Sequence, residues 1–204
     1  MFQKSNAHKF VQKSLFFYLS ILLILGCQAR DPEEPSEDQV SWIPPSDTPL
    51  SLFENLRRVV ERHESSYYYL LGFSDTFVYI PSEYDQDQFE ETYGTVWSKN
   101  QEEHFSSNFF NTLQDQDQVF LTFDRTDIDI EDVVDDLAET AILYRHYELS
   151  VPPERTGFVD DRIQGVARLD LFIGNEGYWV IDRWEDTKIT DDIPDWGELR
   201  NAFK

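Results

Sequence analysis

The chain has 204 residues, with 40 acidic side chains against 17 basic ones, a formal net charge of −23 and a single cysteine. That charge excludes nucleic acid as a partner, because a polyanion would be repelled, and it disfavours anionic lipid headgroups for the same reason. One cysteine excludes an internal disulfide framework, so stability must come from packing, for which 40% hydrophobic and 15% aromatic residues are sufficient.

In chain order, Lys4, Lys9 and Lys13 come first, with no acidic residue before Asp31. Leu15 to Leu25 then form an apolar stretch of about eleven residues, which suits a secretory signal. A bilayer span needs about twenty. The stretch closes on Ile24-Leu25-Gly26-Cys27. This resembles the lipobox of bacterial lipoproteins and departs from it only by Ile24 in place of Leu. The resemblance implies cleavage after Gly26, a thioether-linked diacylglycerol on Cys27 and an amide-linked third chain (palmitate or a similar acyl group). Two or three acyl chains anchor durably where one binds reversibly. It further implies a cell-envelope location, on the outer membrane facing the periplasm in a Gram-negative host, because Gln28 rather than Asp follows the cysteine. Losing residues 1–26, which hold three lysines and no acid, takes the formal charge from −23 to −26.

Residues 28–49 hold Asp31, Glu33, Glu34, Glu37, Asp38 and five prolines. Such composition has little to bury and reads as an extended tether. The expected organisation is therefore a signal peptide over 1–26, a tether over 27–49 and one domain over 50–204.

Ser51 with Glu54 reads as a capping box, followed by Leu52, Leu56, Val59 and Val60 at helical spacing, which predicts a helix to about His63. A short helix over Ser66 to Leu71, closed by Gly72, leads into a strand over Thr76 to Ile80 that stops at Pro81. The two Asp-Gln-Asp-Gln segments, 85–88 and 115–118, read as loops. Ser98 and Gln101 open a further helix with Phe105, Phe109 and Leu113 on its apolar face. Val119 to Phe123 begins a strand. Residues 131–145 are rich enough in Glu, Ala and Leu for a helix, but period-two alternation runs unbroken from Thr140 into Val151 and predicts a strand. Ile163 to Ile173 and Tyr178 to Trp184 are strands joined by Gly174-Asn175-Glu176-Gly177. A last turn spans Asp195 to Phe203.

Three pieces carry a second resemblance: Tyr69 to Pro81, the helix from Trp97 to Phe109, and the closing strand Gly177 to Asp186. Their order looks like the NTF2-like fold, also called the SnoaL-like or cystatin-like cone. The fold expected is thus α+β, with two to three N-terminal helices packed on a strongly curved antiparallel sheet. Relatives use the space between helices and sheet as an enzyme site, a binding cup or a dimerisation scaffold, so fold alone does not choose the function.

The ketosteroid-isomerase branch of that family uses a carboxylate base just before the proline that ends the first strand. Here that position is Ile80, which cannot accept a proton. Asp75 or Glu83 would have to substitute from another place, and the first helix offers Arg57 and Arg58 rather than a tyrosine. Asp170 is the match for the partner acid, yet alternation puts it with Arg168 on the face opposite Ala167, Leu169 and Leu171. Asp75 and Asp170 are the catalytic candidates, and each also reads as a surface charge.

Metal chemistry finds little support: the mature chain has His63, His104 and His146 without metal-ligand spacing, and the acidic stretch Asp124 to Asp136 lacks the glycine of a calcium loop. No metal and no cofactor are expected. Tyr68, Tyr69, Phe105, Phe109, Trp179 and Trp184 are candidates to line an apolar pocket, with core packing as the competing reading. Alternation allows at most one of Trp179 and Trp184 to point inward. The function expected is a lipid-anchored envelope protein that binds a small hydrophobic ligand or a protein partner without catalysis, a homodimer being compatible. The alternative is a SnoaL-like enzyme acting on a small hydrophobic molecule.

Overall fold

A computed structural model of the chain describes residues 45–94, 96–126 and 131–204. The expected leader, Cys27 and nearly all of the expected tether lie outside the described residues. Six helices and seven strands are present among those described.

Helix α1 runs over Pro49–Glu61 and buries Leu52, Leu56, Val59 and Val60, the stripe expected from their spacing. Its cap is Thr48 rather than Ser51. The Ser51 N–H donates to Thr48 Oγ1 at 3.0 Å and the Thr48 N–H donates to Ser51 Oγ at 3.0 Å. Pro49 fixes the first helical φ, which moves the start one turn upstream of the Ser51–Glu54 pair. Glu54 instead pairs with Arg57 at 2.7 Å. The folded part therefore begins before residue 50: Ser46 is buried, bonds Asn55 at 3.0 Å, and accepts from the Trp179 N–H at 2.8 Å.

Helix α2 (Ser66–Leu70) turns through Gly72 into β1 (Phe73–Ile80). The segment that starts with Asp-Gln-Asp-Gln at 85 is helical, α3 spanning Gln86–Tyr93, whereas 115–118 is a loop as expected. Strand β2 (Trp97–Ser98) leads directly into α4 (Lys99–Thr112), where the Ser98 N–H donates to Gln101 Oε1 at 2.6 Å, and Phe105 and Phe109 are buried. Strands β3 (Phe120–Arg125), β4 (Val133–Asp135), β5 (Thr140–Ser150), β6 (Arg162–Ile173) and β7 (Trp179–Thr187) follow, with a short helix α5 (Pro153–Thr156) and a closing helix α6 (Trp196–Ala202).

The strand order is β2-β1-β7-β6-β5-β3, with β4 beside β5. The sheet is mixed rather than wholly antiparallel, because β1 lies parallel to β7. Ala141, Leu143, Tyr147 and Leu149 on β5, and Val151 just after it, are buried, so the strand reading of this stretch holds and the helical one does not. The β6–β7 turn closes on Gly174 and Gly177, the latter at φ 80°, where a side chain would be strained.

Both Trp179 and Trp184 are buried, against the expectation that parity would separate them. Leu171 faces Ile181 and Asp170 faces Arg183, which leaves Asp182 as an extra residue in β7. That bulge resets the phase of the strand and bends it, so positions an odd number apart reach the same face. The same residue stands opposite a looped part of β1, where Ser74 and Thr76 donate to Asp182 Oδ1 at 2.6 and 2.7 Å. Bulges of this kind give the sheet its curvature around the helices.

Candidate functional site

Inside the curve of the sheet the space is filled by side chains, and its centre is polar. Helix α4 turns Glu102 inward on the stripe of Phe105 and Phe109, and α6 turns Arg200 inward beside Trp196 and Leu199. Arg200 Nε and Nη2 reach the Glu102 carboxylate at 2.7 and 2.9 Å. Tyr69 Oη and Trp97 Nε1 donate to the same carboxylate at 2.7 and 2.8 Å, so Glu102 accepts four hydrogen bonds with no exposure to water. The guanidinium lies 3.8 Å above the Tyr79 ring. This is a forked, stacked geometry that arginine makes and lysine does not.

A second group of acids lies beside it. Asp186 on β7 accepts from Tyr147 Oη at 2.9 Å and Tyr79 Oη at 3.1 Å. Burial pushes its pKa up to about 6 against the pull of those two hydroxyls and of Arg200. Burial likewise holds Tyr69, Tyr79 and Tyr147 well above the ordinary tyrosine value. Tyr147 fits because its cross-strand neighbour is Gly165, where a Cβ would stand 2.2 Å from the tyrosine oxygen. Asp195 caps α6, accepting from the Glu198 N–H at 3.0 Å, and Ser82 Oγ lies 3.0 Å from Asp195 and 2.9 Å from Asp85. Oxygens of Asp85, Asp195 and Glu198 come within 4.8 Å of one another. Ser82, Lys188 and two helix-cap N–H groups already serve them, so they make a hydrogen-bonded cap and not a ready set of metal ligands.

Among the described residues, an opening in the surface lies elsewhere. A groove of about 760 Å³ runs between α1 and α2 on one side and the β6–β7 turn on the other. Tyr67, Tyr68 and Leu71 stand on its helical wall, Tyr178 on the opposite one, and Trp179 at its floor. Tyr67 is 64% exposed, Leu71 52% and Tyr178 43%, so large apolar side chains that packing would normally hide face water together here. The polar end is made by Ser74, Asp75, Thr76 and Lys99, on and beside the looped part of β1.

The candidates named from the sequence separate accordingly. Tyr68 and Trp179 line the groove, whereas Tyr69, Phe105, Phe109 and Trp184 are packed in the core. Asp75 has a side chain 90% exposed and is held by Lys99 at 2.9 Å, whose hydrogen bond and charge lower its pKa. Asp170 lies on the outer face of the sheet in a ladder of Arg168, Glu185 and Arg183 at 3.1 to 3.3 Å. Neither acid faces an enclosed space. Sequence reasoning passed over Glu102, Asp186, Asp195 and Arg200. Signals were there: Glu102 and Arg200 each interrupt an apolar helical stripe, Asp186 shares parity with the inward Trp184, and Asp195 with Glu198 is a capping box.

No family model and no curated protein matches this chain. Distant likenesses exist among solved structures. A domain of unknown function with a cystatin-like fold from Nostoc punctiforme is 17% identical over 69% of this chain and 75% of that one, at a TM-score of 0.45. ActVI-ORFA from Streptomyces coelicolor is 11% identical over 68% and 92%, at 0.45. A protein from Kribbella flavida is 14% identical over 74% and 93%, at 0.47.

Proposed function

We propose that this chain is a cell-envelope lipoprotein whose folded domain binds a small hydrophobic ligand in the groove above Trp179, without turning it over. The single observation that carries the binding reading is the gathering of exposed Tyr67, Leu71 and Tyr178 around a groove of about 760 Å³, a volume in the range of small-molecule sites. The anchoring part rests on Lys4, Lys9, Lys13 and the Ile24-Leu25-Gly26-Cys27 sequence. The absence of turnover is supported by how the acids are held: Asp75, at the polar end of the groove, is exposed to water and ion-paired with Lys99, Asp170 is tied into an outer-face ladder, and Glu102 has every lone pair engaged. A protein partner seated in the same groove is the competing occupant.

The reading is tested by titrating the mature chain with the neutral apolar fluorophore N-phenyl-1-naphthylamine. Saturable binding of one probe is expected, with quenching of tryptophan emission from Trp179. Leu71→Glu and Tyr67→Ala alter exposed side chains and leave the core intact; each should weaken the probe by about tenfold or more, the worth of roughly 1.4 kcal/mol of lost apolar contact. Binding that survives both substitutions unchanged, or no binding at all, sinks the small-ligand reading.

A further inference from the structure

Three buried carboxyl groups, Asp85, Asp186 and Asp195, meet beneath α6. Asp186 is provided for by the hydroxyls of Tyr147 and Tyr79 and by the Thr187 N–H at 3.1 Å. Asp195 Oδ1 accepts the Glu198 N–H at 3.0 Å, but Asp195 Oδ2 and Asp85 Oδ2 share one hydroxyl, Ser82 Oγ, which lies 3.0 Å from the first and 2.9 Å from the second and has one proton to give. The neighbouring cations are engaged already, Lys188 with Glu198 at 2.8 Å and Arg200 with Glu102 at 2.7 Å. The helix presses onto this cluster at Gly197, where a Cβ would stand 2.8 Å from Tyr79 Oη, 3.1 Å from Asp195 Oδ1 and 3.4 Å from Asp85 Oδ2. Its first amide, the Trp196 N–H, donates to Tyr147 Oη at 2.9 Å. Two carboxylates this close and this buried are held at low cost only when one of them keeps a proton.

We propose that Asp195 keeps a proton directed at the Asp85 carboxylate and that this proton latches α6, and the chain entering α3, onto the sheet, so that its loss frees the C-terminal helix. The groups that face the pair come from each element packed there: Tyr79 on β1, Tyr147 on β5, Asp186 on β7, Lys188 after β7, and Glu198 and Arg200 on α6. Burial, with the charges of Asp186 and Asp85 behind it, pushes Asp195 up to about 8. An acid whose pKa rises on folding gives stability that is complete below its ordinary value near ~4 and is lost as pH climbs through the folded one. Asp186, pushed by burial to about 6, finishes its own loss lower down, and the buried tyrosines stay neutral throughout. The window from about pH 7 to 9.5 therefore reports mainly on Asp195.

The experiment is native-state amide exchange and thermal unfolding of the full chain across that window. Opening of α6 releases one proton, so after correction for the intrinsic exchange rate its opening constant should rise by about tenfold per pH unit up to roughly 8 and then level off. The melting temperature should fall over the same interval. In Asp85→Asn an amide donates to Asp195 at every pH and the rise should disappear above pH 7; in Asp75→Asn, which makes the same charge change on an exposed residue, it should persist. A pH-independent opening constant in the wild type, or identical slopes in the wild type and Asp85→Asn, overturns the proposal. Should Asp85→Asn fail to fold, Asp195→Asn gives the same comparison, because asparagine caps a helix as well as aspartate does.

Discussion

Arg200 and Glu102 are both withdrawn completely from water, and each would cost several kcal/mol to bury alone. The cost is offset by a bidentate ion pair, two further donors on Glu102 and the Tyr79 ring beneath the guanidinium. Removing one partner strands the other. Arg200→Met is therefore expected to lose about 3–5 kcal/mol of stability, and Glu102→Gln a comparable amount. The double variant should recover a large part of that loss, since no charge is then left unpaired. Urea unfolding with an unchanged slope checks this, and additive single losses would contradict it. At this scale the sequence was half legible. An acid three residues before Phe105 and an arginine four after Trp196 stand out against apolar stripes, but nothing local says that they meet.

Helix ends show the same division between local signal and context. Ser51-x-x-Glu54 and Thr48-x-x-Ser51 both offer a side-chain acceptor at the right spacing, and the proline between them decides which is used. Pro49 lacks an N–H and has a preset φ, so it sits at the first helical position with no loss. Thr48→Ala should cost α1 about 1 kcal/mol. Glu54→Ala should cost at most a few tenths, because Glu54 makes only an exposed pair with Arg57. Equal effects of the two in thermal melts would return the cap to Ser51. Strands were the most legible elements, since alternation on β5 and β6 names the buried face directly. The exception is β7, where the bulge at Asp182 carries both Trp179 and Trp184 inward. A bulge exists only in relation to the neighbouring strand, so no pattern along β7 alone announces it.

At the scale of the whole molecule, the acidic composition bears on the proposed lipid anchor. On the proposed lipoprotein reading the mature charge is −26, which disfavours anionic headgroups, so the proposed attachment is through acyl chains. The mature N-terminus is expected at Cys27 with the mass of a diacylglycerol and a third chain. Cys27→Ala should move the protein from the membrane fraction to the soluble one. A Cys27→Ala protein that still sediments with membranes would remove the lipoprotein reading while leaving the groove reading intact.

By itself the sequence determined the longer elements (α1, α2, α4, β1, β3 and β5 to β7), the buried faces of β5 and β6, the hairpin at Gly174 to Gly177 and the α+β class. These follow from periodicity, caps and turn residues, which act over a few positions. Tertiary structure alone decided that β1 lies parallel to β7, that Tyr147 takes the room left by Gly165, and that the interior is closed by a pair of charges 98 residues apart. It also decided that the acids whose pKa burial raises are Asp186 and Asp195. The reason is physical: pairing, bulging and desolvation depend on what the rest of the chain brings alongside a residue, and the residue's own neighbours in sequence carry no record of it.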